Sequence, residues 1–129
     1  MEPQMNTDEH RDALTERIIG CAMAVSNELG CGFLEKIYEN ALVVALKEAG
    51  LSVRQQGPIE VSFRGVVVGE YVADLIVEGT VLLELKAVKE FDDVHKAICI
   101  NYLKATGLRI CLLINFGKPK LEIKRIVWK

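Results

Sequence analysis

Residues Val81–Val88 read VLLELKAV. Val81, Leu82, Leu83 and Leu85 make an apolar run of strand length, the pattern of a buried strand. Glu84 and Lys86 stand inside it, two residues apart and therefore on one face, because strand side chains alternate. A buried strand has no structural need for charge. This pair restricts the chain more than any other feature, since the sheet that forms must bring compensating groups to that face.

The preceding run, VVVGEYVADLIV over 66–77, reads as the other arm of a hairpin turning at Glu78-Gly79-Thr80. A three-residue loop there sets Val77 opposite Val81. Counted outward, it sets Asp74 opposite Glu84, with Lys86 next along the same face and Ala73, Leu75, Leu83 and Leu85 on the other. A one-residue change in the loop sets Asp74 opposite Leu85 instead, so the register carries a functional expectation. Two carboxylates facing each other repel unless positive charge lies between them. A hard divalent cation bound through oxygen is one answer, and an internal Asp-Lys-Glu ion-pair network is the other.

Apolar residues recur at helical spacing from about Thr7 to Leu29, with Gly30 at the C-cap, and FLEKIYENALVVALKEAG gives a second helix closed by Gly50. The pattern then changes to β: LSVRQQ, a Gly57-Pro58 break, IEVSFR, a turn at Arg64-Gly65, and the two arms already described. Short turns between these runs imply an antiparallel meander. Asp92 or Asp93 caps a third helix, DVHKAICINYLKAT, ended by Gly107, and RICLLINF and LEIKRIVW close the chain. The predicted order is ααββββαββ, one sheet with helices packed against it, α+β or α/β in class. The 129 residues fit one domain, 1–129, with a short N-terminal tail over 1–9 expected to fray.

A composition of 50% hydrophobic and 26% charged residues excludes a disordered or fibrous chain. The longest apolar stretch, IIGCAMAV at 18–25, is far too short to cross a bilayer, and the polar, acidic N-terminus lacks a signal-peptide pattern. A cytoplasmic protein without a membrane partner is expected. Cys21, Cys31, Cys99 and Cys111 form no CxxC pair, which argues against a zinc site or a disulfide framework. The net charge of -2 argues against coating nucleic acid by bulk electrostatics, yet its distribution is uneven. Every acidic residue except Glu122 precedes position 95, while half of the 16 basic residues follow it. A basic C-terminal third could hold a phosphate backbone beside an acidic centre, or be a solvated edge.

Asp74, followed after nine residues by Glu84-Leu85-Lys86, resembles the D...(D/E)xK core of the PD-(D/E)XK nuclease superfamily. GFLEKIY (Gly32, Glu35, Tyr38), GEYVADLIV, ELKAV, NYLKATGL and LLINFG, in that order, are similar to one branch of it, the small GxxExxY proteins. The likeness runs from about residue 10 to 128. It implies the restriction-endonuclease-like fold, a single mixed sheet flanked by helices around an αβββαβ core, and metal-dependent hydrolysis of phosphodiester bonds in DNA or RNA.

Carried over by position, the resemblance makes Asp74, Glu84, Lys86 and Glu35 the catalytic set. Asp74 and Glu84 would bind Mg²⁺ or Mn²⁺ with the backbone carbonyl of Leu85, and Lys86 would orient or deprotonate the attacking water. Glu35 would be the helix-borne acid near the metal, and Gly32 would let the chain turn tightly into that helix. Tyr38, Glu39, His95 and Tyr102 are candidates to line the cleft. For the tyrosines the competing reading is a core residue with a bonded hydroxyl, and for His95 a helix-surface histidine. Lys118, Lys120, Lys124 and Arg125 would hold the nucleic-acid backbone.

One position departs from the pattern. Related nucleases often carry Gln-x-x-x-Tyr on the helix after the ELK strand, and AICINYL has Ile98 where the glutamine would stand, with Tyr102 kept. The second reading is therefore a catalytically weak or inactive nuclease-fold module that binds nucleic acid or a protein partner. A second copy could help so small a domain surround a substrate, which makes a homodimer a candidate assembly. No Gly-rich phosphate loop, nucleophile elbow or dinucleotide fingerprint offers a small-molecule alternative.

Overall fold

A computed structural model describes residues 2–128, with side chains from Ala13 onward. Its elements are α1 (Glu2–Leu29), α2 (Glu35–Glu48), β1 (Val53–Phe63), β2 (Val66–Val77), β3 (Val81–Lys86), α3 (Asp93–Thr106), β4 (Ile110–Asn115) and β5 (Glu122–Val127). The expectation of a frayed tail over 1–9 falls where side chains lie outside the described residues.

The strands form one sheet in the order β1-β2-β3-β4-β5, antiparallel except between β3 and β4. A parallel neighbour requires a crossover, and α3 supplies it. The class is α+β, a single five-stranded mixed sheet flanked by helices, as expected. One element differs. Gly57-Pro58 does not break the chain, so residues 53–63 are a single strand and the order is ααβββαββ. β1 is an edge strand, where a proline without an N–H need take nothing from a ladder.

The three-residue loop sets the expected register, with Val77↔Val81, Ile76↔Leu82 and Leu75↔Leu83. Two cores follow from the alternation. Leu75, Val77, Val81, Leu83, Leu85, Leu112 and Ile114 pack with Ile18, Leu42 and Leu46 beneath α1 and α2. Ile59, Ala73, Leu82, Cys111 and Leu113 pack with Cys99 and Leu103 beneath α3. Covered on both faces, β3 and β4 can be apolar along nearly their whole length.

Ala73 corrects an expectation, for it lies on the α3 face rather than with Leu75. The β1–β2 ladder runs Gln55↔Leu75 and then Gly57↔Ala73, without a Gln56–Asp74 pair, and Gln56 takes a left-handed φ of 55°. The alternation slips by one at Asp74.

Beyond Lys86 the chain is clamped. Asn115, fully buried, donates to the Val88 carbonyl at 2.9 Å and accepts from Val88 N–H at 3.0 Å and Gly117 N–H at 2.9 Å. Phe116 N–H donates to the Lys86 carbonyl at 2.8 Å. Gly117 lies so close that a Cβ there would collide with the backbone of Ala87 and Val88. Gly117→Ala is therefore expected to destabilise the fold by about 1–3 kcal/mol, the usual cost of overpacking, read as a lower urea midpoint at unchanged m.

Candidate active site

β2 and β3 part after Leu75↔Leu83, and the candidate residues Asp74, Glu84 and Lys86 stand at that opening. Asp74 sits at the slip, and its Oδ2 accepts the Leu85 N–H at 2.8 Å, where a backbone rung would otherwise form. The expected Asp74↔Glu84 rung is absent from the ladder, so the two residues meet across a gap rather than as a cross-strand pair. The N–H and C=O of one strand residue point the same way, so the Leu85 carbonyl faces the gap too. The Leu85 side chain is in the α1/α2 core.

Glu84 pairs along β4 with Leu113 and is 6% exposed. Its Oε2 lies 3.9 Å from Lys86 Nζ, while its Oε1 is buried without a hydrogen-bond partner. Burial first, and then the charge of Asp74, push the Glu84 carboxyl up to about 8 against the pull of Lys86. Burial also raises Asp74, although the Leu85 N–H counteracts it.

Two glutamates on α2, one turn apart, differ in environment. Glu39 accepts from Lys36 Nζ at 3.0 Å, Gln55 Nε2 at 2.6 Å and Gln56 Nε2 at 3.0 Å. Burial works to raise its carboxyl, but these donors outweigh burial and hold it below the ordinary range. Glu35 is raised by burial, partly offset by Lys86 and reinforced by Asp74. Both share the field of the Asp74–Lys86 gap, Glu35 through Lys86 and Asp74, and Glu39, though bonded to β1, as the charge that most raises Asp74.

The other expected cleft residues divide. Tyr38 is fully buried, accepts the Phe33 N–H at 3.2 Å, donates to the Gly30 carbonyl and stacks on Phe116 at 4.8 Å. It is a core residue and lines no cleft. Tyr102 packs edge-on to Tyr71 at 5.1 Å, and burial raises its hydroxyl, with Glu84 and Asp74 adding to the rise. His95 completes a capping box at the start of α3, its Nδ1 accepting the Asp92 N–H at 3.2 Å, and its field reaches Glu35.

The four basic candidates form no single patch. Lys118 is ion-paired with Glu122 at 3.5 Å. Lys124 opposite Leu113 and Arg125 opposite Leu112 face opposite sides of the sheet, since adjacent strand residues alternate. Lys118 and Lys120 lie in the β4–β5 turn, at the Lys86 end of the sheet. Ile98 packs against the α3-side core and offers Glu84 no donor.

Sequence reasoning missed Asn115, Gly117, Gln55 and Gln56. Asn115 had a signal akin to that of Glu84, a polar residue in an apolar strand. A cavity of about 890 Å³ lined by Arg54, Ile59, Glu60 and Thr106 shares no residue with the gap. Among the described residues no helix is long and apolar enough to cross a membrane.

The donor set fits a hard cation. Among the described residues no three His, Cys, Asp or Glu side chains gather as a metal cluster, so a cation here would rest on Asp74, Glu84, a backbone carbonyl and water. That is a set Mg²⁺ accepts, and the unpartnered Glu84 Oε1 is a buried acceptor in want of positive charge.

The sequence matches the PD-(D/E)XK nuclease superfamily over residues 12–126. The chain belongs to that superfamily. No curated protein matches it. Among solved structures it is similar to an alkaline exonuclease (LHK-Exo) from Laribacter hongkongensis, with a TM-score of 0.53 and 17% identity. That likeness covers 73% of this chain and 56% of the exonuclease, and supports the nuclease fold.

The raised Glu84 carboxyl has a consequence for stability in this nuclease-fold protein. Its folded value, about 8, lies above the ordinary 4.5, so its contribution to stability is full below the ordinary value and is lost as pH rises through about 8. In EDTA the unfolding free energy should fall between about pH 5 and about pH 9. Glu84→Gln should flatten that slope and stabilise the metal-free protein at the alkaline end. An undiminished slope in Glu84→Gln would refute this assignment.

Proposed function

We propose that this chain is a metal-dependent nuclease of the GxxExxY branch, a single cytoplasmic catalytic domain that hydrolyses phosphodiester bonds in DNA or RNA. The observation that carries the reading is the opening of the β2–β3 ladder, where Asp74, Glu84 and Lys86 converge and one buried carboxylate oxygen has no partner.

Asp74 and Glu84 hold Mg²⁺ or Mn²⁺ together with the Leu85 carbonyl. Bound there, the ion supplies charge neutralisation at the scissile phosphate and a water of lowered pKa. Lys86, whose ammonium is held beside Glu84, donates to the attacking water, fixes its line of approach and offsets charge developing on the phosphate. Glu35 orients further water from the α2 side. Asn115 and Gly117 keep Lys86 in place by fixing the backbone that follows it. Lys118 and Lys120, at the same end of the sheet, contact flanking phosphates.

Ile98 favours a second reading, a nuclease-fold module that grips nucleic acid without cutting. Two measurements separate them. Mn²⁺ at about a hundred times its dissociation constant should stabilise the parent by about 2.7 kcal/mol, and Asp74→Asn should abolish that gain. Lys86→Ala should keep the gain while cleavage of labelled single-stranded and duplex DNA and RNA falls at least about a hundredfold, the scale of losing one positioned catalytic group. Stabilisation by Mn²⁺ without cleavage of any of these substrates would favour the binding module.

A further inference from the structure

The segment from Gly30 to Tyr38 contains features that the proposed chemistry does not use. Gly30 and Gly32 take φ values of 71° and 112°, a course closed to most side chains. The Tyr38 hydroxyl ties the Gly30 carbonyl to the Phe33 N–H, and the Ile37 N–H returns to the Leu34 carbonyl at 3.0 Å. The loop is thereby fixed, and what it displays is apolar. Phe33 is 47% exposed, Leu34 77% and Ile37 41%.

Leu34 is also the N-cap of α2, with extended backbone and no side-chain capping bond. Asn, Asp or Ser there would satisfy a free N–H, so an exposed leucine at this position sets aside two local preferences at once. The next residue, Glu35, shares the electrostatic field of Lys86, Asp74 and His95. Phe33 packs edge-on to Tyr38 at 6.1 Å, Tyr38 stacks on Phe116 at 4.8 Å, and the Phe116 N–H bonds the Lys86 carbonyl at 2.8 Å, so the apolar rim lies at the Lys86 end of the sheet.

We propose that Phe33 and Leu34 contact unpaired bases, and that the substrate is a nucleic acid whose bases are free next to the phosphate being cut, a single strand or a frayed end. This rests on the nuclease reading above. A duplex offers such a rim phosphates and polar groove edges, against which apolar side chains gain little. An unpaired base offers a π face that stacks on Phe33 and packs on Leu34 whatever its identity. The rim is flanked by the charges of Glu35 and Lys36, whereas the core of a protein interface is depleted of charge.

The test compares fluorescein-labelled oligo(dT), an abasic strand of equal length and a blunt duplex, with all proteins carrying Lys86→Ala so that cutting does not intervene. The parent should bind oligo(dT) about tenfold or more tighter than the abasic strand, the scale of one or two stacked bases. Phe33→Ala with Leu34→Asn should erase that difference and leave abasic binding and the Mn²⁺-induced thermal shift unchanged. Leu34→Asn alone should raise the melting temperature by restoring a cap while weakening oligo(dT) binding, opposite signs that a misfolded variant cannot give. The proposal is overturned if the parent binds abasic strand and oligo(dT) alike, if it prefers the blunt duplex, or if the rim variants change oligomeric state instead of base-dependent binding. In those cases the Mn²⁺ shift still stands and the nuclease reading survives. If neither strand binds and Mn²⁺ gives no shift, that reading falls and the rim proposal with it.

Discussion

The hydrogen bond from the Leu85 N–H to the Asp74 carboxylate is the constraint on which the rest depends. An antiparallel ladder that stops midway leaves backbone donors unpaired, and a buried orphan donor costs about 1–3 kcal/mol. Asp74 removes that cost with its side chain, which lets β2 leave β3 after Leu75 without a penalty at Leu85. The opening so made is where Glu84 and Lys86 emerge from a strand that is otherwise apolar. Had the ladder continued, Ala73 would have bonded Leu85 and Asp74 would have pointed from one face of the sheet. The slip turns it into the sheet plane, toward the gap.

The electrostatics of the gap explain why the arrangement is costly alone. Asp74, Glu84 and Glu35 place three carboxyls in the field of Lys86, and all three are raised chiefly by burial. One ammonium at 3.9 Å does not satisfy them, as the bare Glu84 Oε1 records. A buried ion pair chosen for stability would have its remaining lone pairs bonded, because an unsatisfied buried charge outweighs the attraction it gains. Strain of this kind, kept inside a well-packed frame, is what sites that bind a cation or an anionic substrate require. Ile98 adds to it, since an apolar side chain on α3 relieves nothing.

Much of this was legible in the sequence because register is arithmetic. Once Glu78-Gly79-Thr80 is a three-residue loop, the pairs Val77↔Val81 to Leu75↔Leu83 follow, and so does the neighbourhood of Asp74 and Glu84. The third helix and the buried character of β3 were equally open to pattern. What could not be read is where local chemistry overrides the period. Nothing in QQGP announces that Pro58 sits on an open edge and leaves the strand whole, or that Gln56 turns left-handed and shifts Ala73 to the other face. The basic residues of the last third looked like a patch because linear charge counts ignore alternation, which separates Lys124 from Arg125. Tyr38 looked like a cleft residue because it lies one turn from Glu35, yet its ring completes the core.

Glu35 and Glu39, one turn apart on α2, are pushed in opposite directions. When neighbouring carboxyls are pushed in opposite directions, their environments assign their roles. Glu39 is lowered because three side chains donate to it, and two of these, Gln55 and Gln56, belong to the edge strand. A left-handed glutamine costs about 1–3 kcal/mol and persists only where its surroundings fix it. The bond from Gln56 to Glu39 is what fixes this one. Gln56 falls where the ladder lacks its Asp74 rung, between Gln55↔Leu75 and Gly57↔Ala73, so the bond to the buried Glu39 holds the strand at that irregularity. Glu35, one turn earlier, lacks that set of donors and stays raised by burial, while both glutamates share the field of Asp74. One helix thus holds the strand irregularity with a carboxylate that also bears on Asp74, which ties the edge strand and the gap to one another.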